Sequence, residues 1–243
     1  DSYAAGTGVD PLVAGSKYLC QQSARNLAHL IAQRRSLPLT DVSCAGAQTA
    51  HLSSEQYYGV GPQLDALGSA TRLVTLMLGG NDARLFGGAV AQCSDAGRTD
   101  PTGSPCRTRY GDALAAPIRS DVEPALVDAL RAVRARAPRA RVFIIGYPWI
   151  LPRTGGCYPA MQIAAGDVGY LRDLQAQLNA AIRRAAQTTG VTYVDMSRRS
   201  DGHDACAGPD RWIEPQIGST SRITVHPNAR GQQALADAVL ARR

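Results

Sequence analysis

Several things are scarce in this sequence, and each scarcity excludes something. Of 26 basic residues only Lys17 is a lysine, so positive charge rests almost wholly on arginine. Aromatic residues are 5% of the chain and none interleave with arginine as a single-strand stacking platform requires, which argues against nucleic-acid binding. No apolar run is long enough to cross a bilayer; "RLVTLML" and "RVFIIGY" are of strand length. No signal-peptide pattern is visible, as would also hold for a mature form from which one had been removed. There is no C-x-x-C pair, no H-E-x-x-H, no EF-hand loop and no phosphate-binding P-loop, so no metal or other cofactor is inferred.

What is present supports one sizeable core. The 243 residues are 44% hydrophobic, enough for a single α/β domain over residues 1–243. The net charge is +6, and its densest stretch, "RAVRARAPRAR" at 131–141, reads as a solvated helix face running into a turn. Six cysteines, Cys20, Cys44, Cys93, Cys106, Cys157 and Cys206, favour three disulfides and an oxidising, extracellular setting over six buried cytosolic thiols. The sequence alone leaves about 15 pairings open.

Strand and helix signals alternate. Buried strands are expected at 72–78, 141–147 and 191–195, with a shorter one near 39–43. Helical spacing runs through 112–137 (Ile118, Val122, Leu126, Leu130, Val133) and 167–189 (Val168, Leu171, Leu174, Leu178, Ile182). Further helices are expected over 21–35 and, capped by Asn228, over 229–242. Residues 93–111 and 197–227 read as long loops tied down by disulfides. Alternation of this kind gives a parallel sheet covered on both faces, with its chemistry at the carboxyl ends of the strands.

Four short blocks sit where that chemistry belongs: "DS" at the start, "SCAGAQT" at 43–49, "GGND" at 79–82 and "ITVHP" at 223–227. Ser2 is a weak nucleophile that needs a base, and His226 has the one side-chain type whose ordinary pKa lies near neutrality. Gly46 leaves room for backbone approach, and Asn81 offers an uncharged NH₂ to a developing oxyanion. Each block alone has an ordinary structural explanation, such as a turn at Gly79–Gly80 or a surface histidine before Pro227. His29, His51 and His203 are read as structural or surface residues.

Taken in order, the four blocks resemble those of the SGNH (GDSL) hydrolase superfamily. The six cysteines, with "GHDAC" before "RWIEP", resemble its secreted actinobacterial-type lipase, esterase and phospholipase branch. The resemblance implies a three-layer α/β/α, flavodoxin-like fold with a central parallel sheet and long disulfide-tied loops. It implies Ser2 as nucleophile, His226 as general base, and an oxyanion hole from the Ser2 and Gly46 N–H groups and the Asn81 side chain. It also implies the pairings Cys20–Cys44, Cys93–Cys106 and Cys157–Cys206. The expected substrate is an acyl ester, lipid or phospholipid, hydrolysed by a monomer in transient contact with a lipid surface. The alternatives are a carbohydrate or acetyl esterase on the same fold, and a secreted binding module without catalysis.

Two departures from the family pattern stand out. The central strand and glycine that precede the family's first Asp-Ser are missing before Asp1, so a trimmed sequence or a substitute segment is expected. The family's aspartate three residues before the histidine is Ile223 here. A backbone carbonyl, of Ile223 or Thr224, is expected to hold the imidazole, ahead of Asp195, Asp201 or Asp204.

Overall fold

The computed structural model describes residues 1–242. The chain opens with one helical turn, α1 (Ser2–Ala5), and after a 3₁₀ turn at Tyr18–Cys20 forms α2 (Leu27–Arg35). β1 (Leu73–Leu76) then leads through a short turn into α3 (Leu85–Gly97) and α4 (Pro105–Tyr110). α5 (Glu123–Arg136), β2 (Arg141–Ile145), α6 (Val168–Thr189), β3 (Thr192–Val194) and α7 (Ala229–Leu240) complete it. The sheet is parallel in the order β1-β2-β3, with Val74 opposite Val142 and Ile144 opposite Tyr193.

The layers follow from handedness. The crossovers β1-α5-β2 and β2-α6-β3 step the same way across the sheet, and parallel crossovers are right-handed, so α5 and α6 share one face. They pack on each other there, while α2 and α7 pair elsewhere, with α7 against β2. With both faces covered, Val142, Phe143, Ile144 and Ile145 are all buried.

β1, β2 and β3 lie within three of the expected strand ranges and α6 within its expected helix range, and α7 ends two residues before the expected stop. Other expectations need correction. The helix expected over 112–137 begins as α5 only at Glu123, preceded by a π turn at Ile118–Val122, because Pro117 and Pro124 interrupt the pattern. The helix expected from residue 21 starts at Leu27, where Asn26 caps it by accepting from His29 N–H. The loop expected over 93–111 holds the end of α3 and all of α4. Pro105 suits the first turn of α4, and the buried Asp167 carboxylate accepts from the Cys106 and Arg107 N–H groups there.

The strand expected near 39–43 joins no sheet. Side chains take its backbone groups instead: Gln22 Nε2 donates to the Asp41 and Ser43 carbonyls, and Asp41 Oδ1 accepts from Ser43 N–H. Among the described residues β1 therefore has a strand partner on one edge only.

Three disulfides close the loops: Cys20–Cys44, Cys93–Cys106 and Cys157–Cys206. The arginines of 131–141 behave as a solvated face, with Arg136 on Asp65 and Arg139 on the Ser69 carbonyl.

Candidate active site

Beyond the carboxyl ends of the strands, Ser2, Asn81 and His226 line one pocket of about 290 Å³. Its remaining walls are mostly apolar: Phe86, Val90 and Ala91 of α3, Ile150, and Val225. Each polar member is delivered by a different piece of local structure.

Ser2 is the first residue of α1, where an N–H has no partner inside the helix. Asp1 caps that turn; its Oδ1 accepts from Tyr3 N–H at 3.1 Å and Ala4 N–H at 3.2 Å. Its Oδ2 accepts from the Tyr147 hydroxyl at 2.6 Å, and the same hydroxyl accepts from Gly80 N–H at 2.9 Å. Burial raises the Tyr147 pKa well above the ordinary phenol range, so the proton stays on the oxygen and is donated to Asp1. One buried phenol thus joins the serine turn to the turn after β1.

That second turn carries Asn81. Gly79 adopts φ +106°, and a Cβ on Gly80 would come within 2.9 Å of the Tyr147 oxygen, so both positions need glycine. The Asn81 Nδ2 donates to the Ala47 carbonyl at 3.0 Å, and the Asn81 carbonyl accepts from Gln48 Nε2 at 3.1 Å. Asp82 is buried and accepts from Thr49 N–H and the Thr49 hydroxyl. An amide nitrogen has two hydrogens, so Asn81 keeps one for the pocket. Gly46 sits in the Cys44–Ala47 turn with φ +77°. It does not line the pocket wall; it reaches the site through Ala47 and Asn81.

His226 is held from several sides. Its Nδ1 lies 2.8 Å from the Thr224 carbonyl. A carbonyl only accepts, so Nδ1 carries the proton and Nε2 is the basic nitrogen of the neutral ring. Burial lowers the His226 pKa below its ordinary value, against an opposing push from the Thr224 bond. The ring packs against Tyr3 at 5.2 Å between centroids, and the Tyr3 hydroxyl donates to the Val225 carbonyl at 2.7 Å. Val225 has φ +58°, a strained conformation for a β-branched residue, and it is this turn that brings the Thr224 carbonyl back to the ring.

The loop is anchored by Glu214, whose backbone exchanges hydrogen bonds with Val225 N–H and the His226 carbonyl. Burial pushes the Glu214 carboxyl up, but Asn228, Thr220 N–H and Arg211 outweigh it and hold it at about 2.

The other expected holders of the imidazole are engaged elsewhere. Ile223 makes no bond to it, Asp195 accepts from Ser197 N–H, Asp201 pairs with Arg153 and Arg172, and Asp204 accepts from Cys206 N–H. His29, His51 and His203 are fixed by Asn26, Gln48 and the Asp210 carbonyl respectively. Sequence reasoning missed Tyr3, Tyr147 and Glu214 as parts of this frame. Tyr147 alone left a signal, as the last residue of the "RVFIIGY" strand pattern, at the carboxyl edge. Among the described residues no three His, Cys, Asp or Glu side chains converge as a metal site would require.

Comparison with known proteins gives the family. Residues 1–234 match the GDSL-like lipase/acylhydrolase family. The chain is 52% identical over 241 residues to Lipase 2 of Streptomyces coelicolor, covering 98% of this chain and 81% of that one. It is 27% identical over 233 residues to a lipase of Streptomyces rimosus, covering 96% and 80%. Among solved structures, phospholipase A1 of Streptomyces albidoflavus superposes with a TM-score of 0.85 at 27% identity, covering 100% of this chain and 96% of that one. A serine-bearing turn, an asparagine-bearing turn and a histidine loop on one pocket, in a chain matched over nearly its whole length, make this protein a member of the GDSL-like lipase/acylhydrolase family and a carboxylic-ester hydrolase.

Proposed function

We propose that the protein is a secreted serine hydrolase that cleaves the acyl esters of lipids or phospholipids through an acyl-enzyme on Ser2. The observation that carries the reading is that Ser2, Asn81 and His226, with its basic Nε2, share the wall of one largely apolar pocket. Ser2 Oγ attacks the ester carbonyl carbon and passes its proton to His226 Nε2. The carbonyl oxygen takes the negative charge and is met by the Ser2 N–H and Asn81 Nδ2, which line the pocket; Gly46, outside its wall, holds the turn whose Ala47 carbonyl accepts from Asn81. The tetrahedral species collapses, the alkoxide leaves with the proton from His226, and water repeats the sequence on the acyl-serine.

The Thr224 carbonyl fixes the imidazole tautomer as the carboxylate of a triad would, with less stabilisation of the imidazolium. The centre is thus a dyad supported by backbone. Phe86, Val90, Ala91 and Ile150 give the acyl chain an apolar wall, which favours fatty acyl over acetyl groups. The likeness to a Streptomyces phospholipase A1 supports a phospholipid among the substrates. Three disulfides support secretion. The site is complete within one chain, in keeping with a monomer.

Hydrolysis of p-nitrophenyl esters of graded chain length tests the proposal. Ser2→Ala is expected to lower kcat about 10⁴-fold or more. The wild-type rate is expected to rise from acetate towards medium chains. Retained activity in Ser2→Ala, or a sharp preference for acetate, would overturn it.

A further inference from the structure

Two loops beside the site carry apolar side chains that the fold does not bury. Tyr18 and Leu19 occupy the 3₁₀ turn before Cys20 and are 72% and 58% exposed; Tyr58, in a separate turn, is 97% exposed. Both loops are held rather than loose. Cys20 is bonded to Cys44, and the Cys20 carbonyl accepts from Ala45 N–H at 3.0 Å. The Tyr58 turn is closed by Gln56 N–H on the Val60 carbonyl and Val60 N–H on the Tyr57 carbonyl. Gln56 Nε2 then donates to the Ala45 carbonyl at 2.7 Å.

The two loops therefore meet at Ala45, one residue from Gly46 and two from Ala47, whose carbonyl holds the Asn81 side chain. Lys17, the sole lysine, bridges them, its Nζ lying 3.0 Å from where a Cβ on Gly59 would stand. Glu55, the nearby carboxylate, accepts from Gly59 N–H of its own turn.

We propose that Tyr18, Leu19 and Tyr58 form the surface by which this hydrolase docks on an anionic lipid–water interface, placing the oxyanion turn against the aggregated substrate. The inference rests on the acyl-ester reading of the site and adds the surface through which substrate is reached. Rings with a polar tip settle at such interfaces, with apolar body inward and hydroxyl in the headgroups. A leucine beside them adds aliphatic contact, and Lys17 extends a cation on an apolar stem. The net charge of +6 draws the whole molecule to an anionic surface. A lone exposed apolar residue needs no explanation, but three on two loops fastened to the same residue, Ala45, form a patch.

The test separates docking from chemistry. Ser2→Ala protein, which leaves the lipid intact, is sedimented with vesicles of phosphatidylcholine alone and with phosphatidylglycerol added. Tighter partitioning onto the anionic vesicles is expected. Tyr18→Ser with Leu19→Ser, and separately Tyr58→Ser, are each expected to weaken it about tenfold. Lys17→Gln is expected to reduce the preference for phosphatidylglycerol.

With Ser2 restored, the same substitutions should slow vesicle lipolysis in proportion while p-nitrophenyl butyrate turnover stays within about twofold of the parent, since no contact in the pocket is lost. Undiminished partitioning of the Tyr18, Leu19 and Tyr58 variants would overturn the proposal. So would a transfer of the effect to binding of an insoluble acetylated polysaccharide, or to dissociation of a dimer. Failure of the parent to hydrolyse p-nitrophenyl butyrate would instead strike the ester reading beneath it.

Discussion

The β2–β3 flank and the amino-terminal flank of this molecule are built by different means. On the first, β2 and β3 pair in register and α5 packs on α6 through fully buried aliphatic side chains such as Leu126 and Leu178. None of the residues proposed to react lies there. On the second, residues 1–60 contain two helices and no strand, and the expected strand 39–43 is tied by side chains. Yet this flank carries Ser2 and Gly46, and its contacts reach the histidine loop and the helix after it: Tyr3 to Val225, Ser221 Oγ to the Gly8 carbonyl, and Gln232 Nε2 of α7 to the Tyr3 carbonyl. Non-directional burial makes the scaffold, and directional polar contacts fix the chemistry. A repeated apolar pattern tolerates small displacements, whereas a general base needs its acceptor at hydrogen-bond distance.

If that division is right, substitutions on the two flanks separate into stability and rate. The largest effect is expected on the packed side. Leu178→Ala empties a fully buried site on α6 and should cost about 2–5 kcal/mol of unfolding free energy in urea, with kcat per folded molecule unchanged. A parallel fall in kcat would break the division.

Next comes Asn81→Ala, expected to lower kcat about 10²- to 10³-fold, the usual cost of one lost oxyanion donor, with the urea midpoint little moved. An unchanged kcat would remove Asn81 from the hole.

Tyr147→Phe probes the joint between flanks. It leaves the buried Gly80 N–H without its acceptor and the Asp1 Oδ2 without its donor, at an expected cost of about 1–3 kcal/mol. Because Asp1 and Gly80 border the two reacting turns, kcat should fall while KM stays near the parent value. A loss of stability alone would make Tyr147 an ordinary core residue.

The same contrast explains what could be read from the sequence. β2 and α6 were legible because burial imposes a pattern: a continuous apolar run in "RVFIIGY", and a helical period in Val168, Leu171, Leu174 and Leu178. The segment 39–43 misled because its few apolar residues match a strand, while the groups that satisfy its backbone sit on distant Gln22. α4 hid inside a Gly/Pro-rich stretch because the carboxylate that caps its first turn, Asp167, lies about 60 residues away.

At the site, the four blocks named Ser2, Asn81 and His226, which the fold brings to one pocket, and Gly46, which it leaves one step outside the wall. Between the Ile223 and Thr224 carbonyls the sequence does not choose, because a peptide oxygen leaves no mark that would single it out. Tyr3 and Glu214 act through contacts to a loop more than 200 and about 10 residues away respectively, and nothing in their immediate neighbours announces it.

The most direct test of the central claim, that the Thr224-held imidazole of His226 makes Ser2 nucleophilic, is the rate of modification by a serine-directed phosphonate as a function of pH, with the adduct located by peptide mass mapping. Burial lowers the His226 pKa, so the neutral base persists into mildly acidic solution. A single adduct on Ser2 is expected, with a rate that begins to fall only below the ordinary histidine pKa of about 6.5 and with labelling lost in His226→Ala. Labelling elsewhere, or labelling of Ser2 that persists without His226, would contradict it.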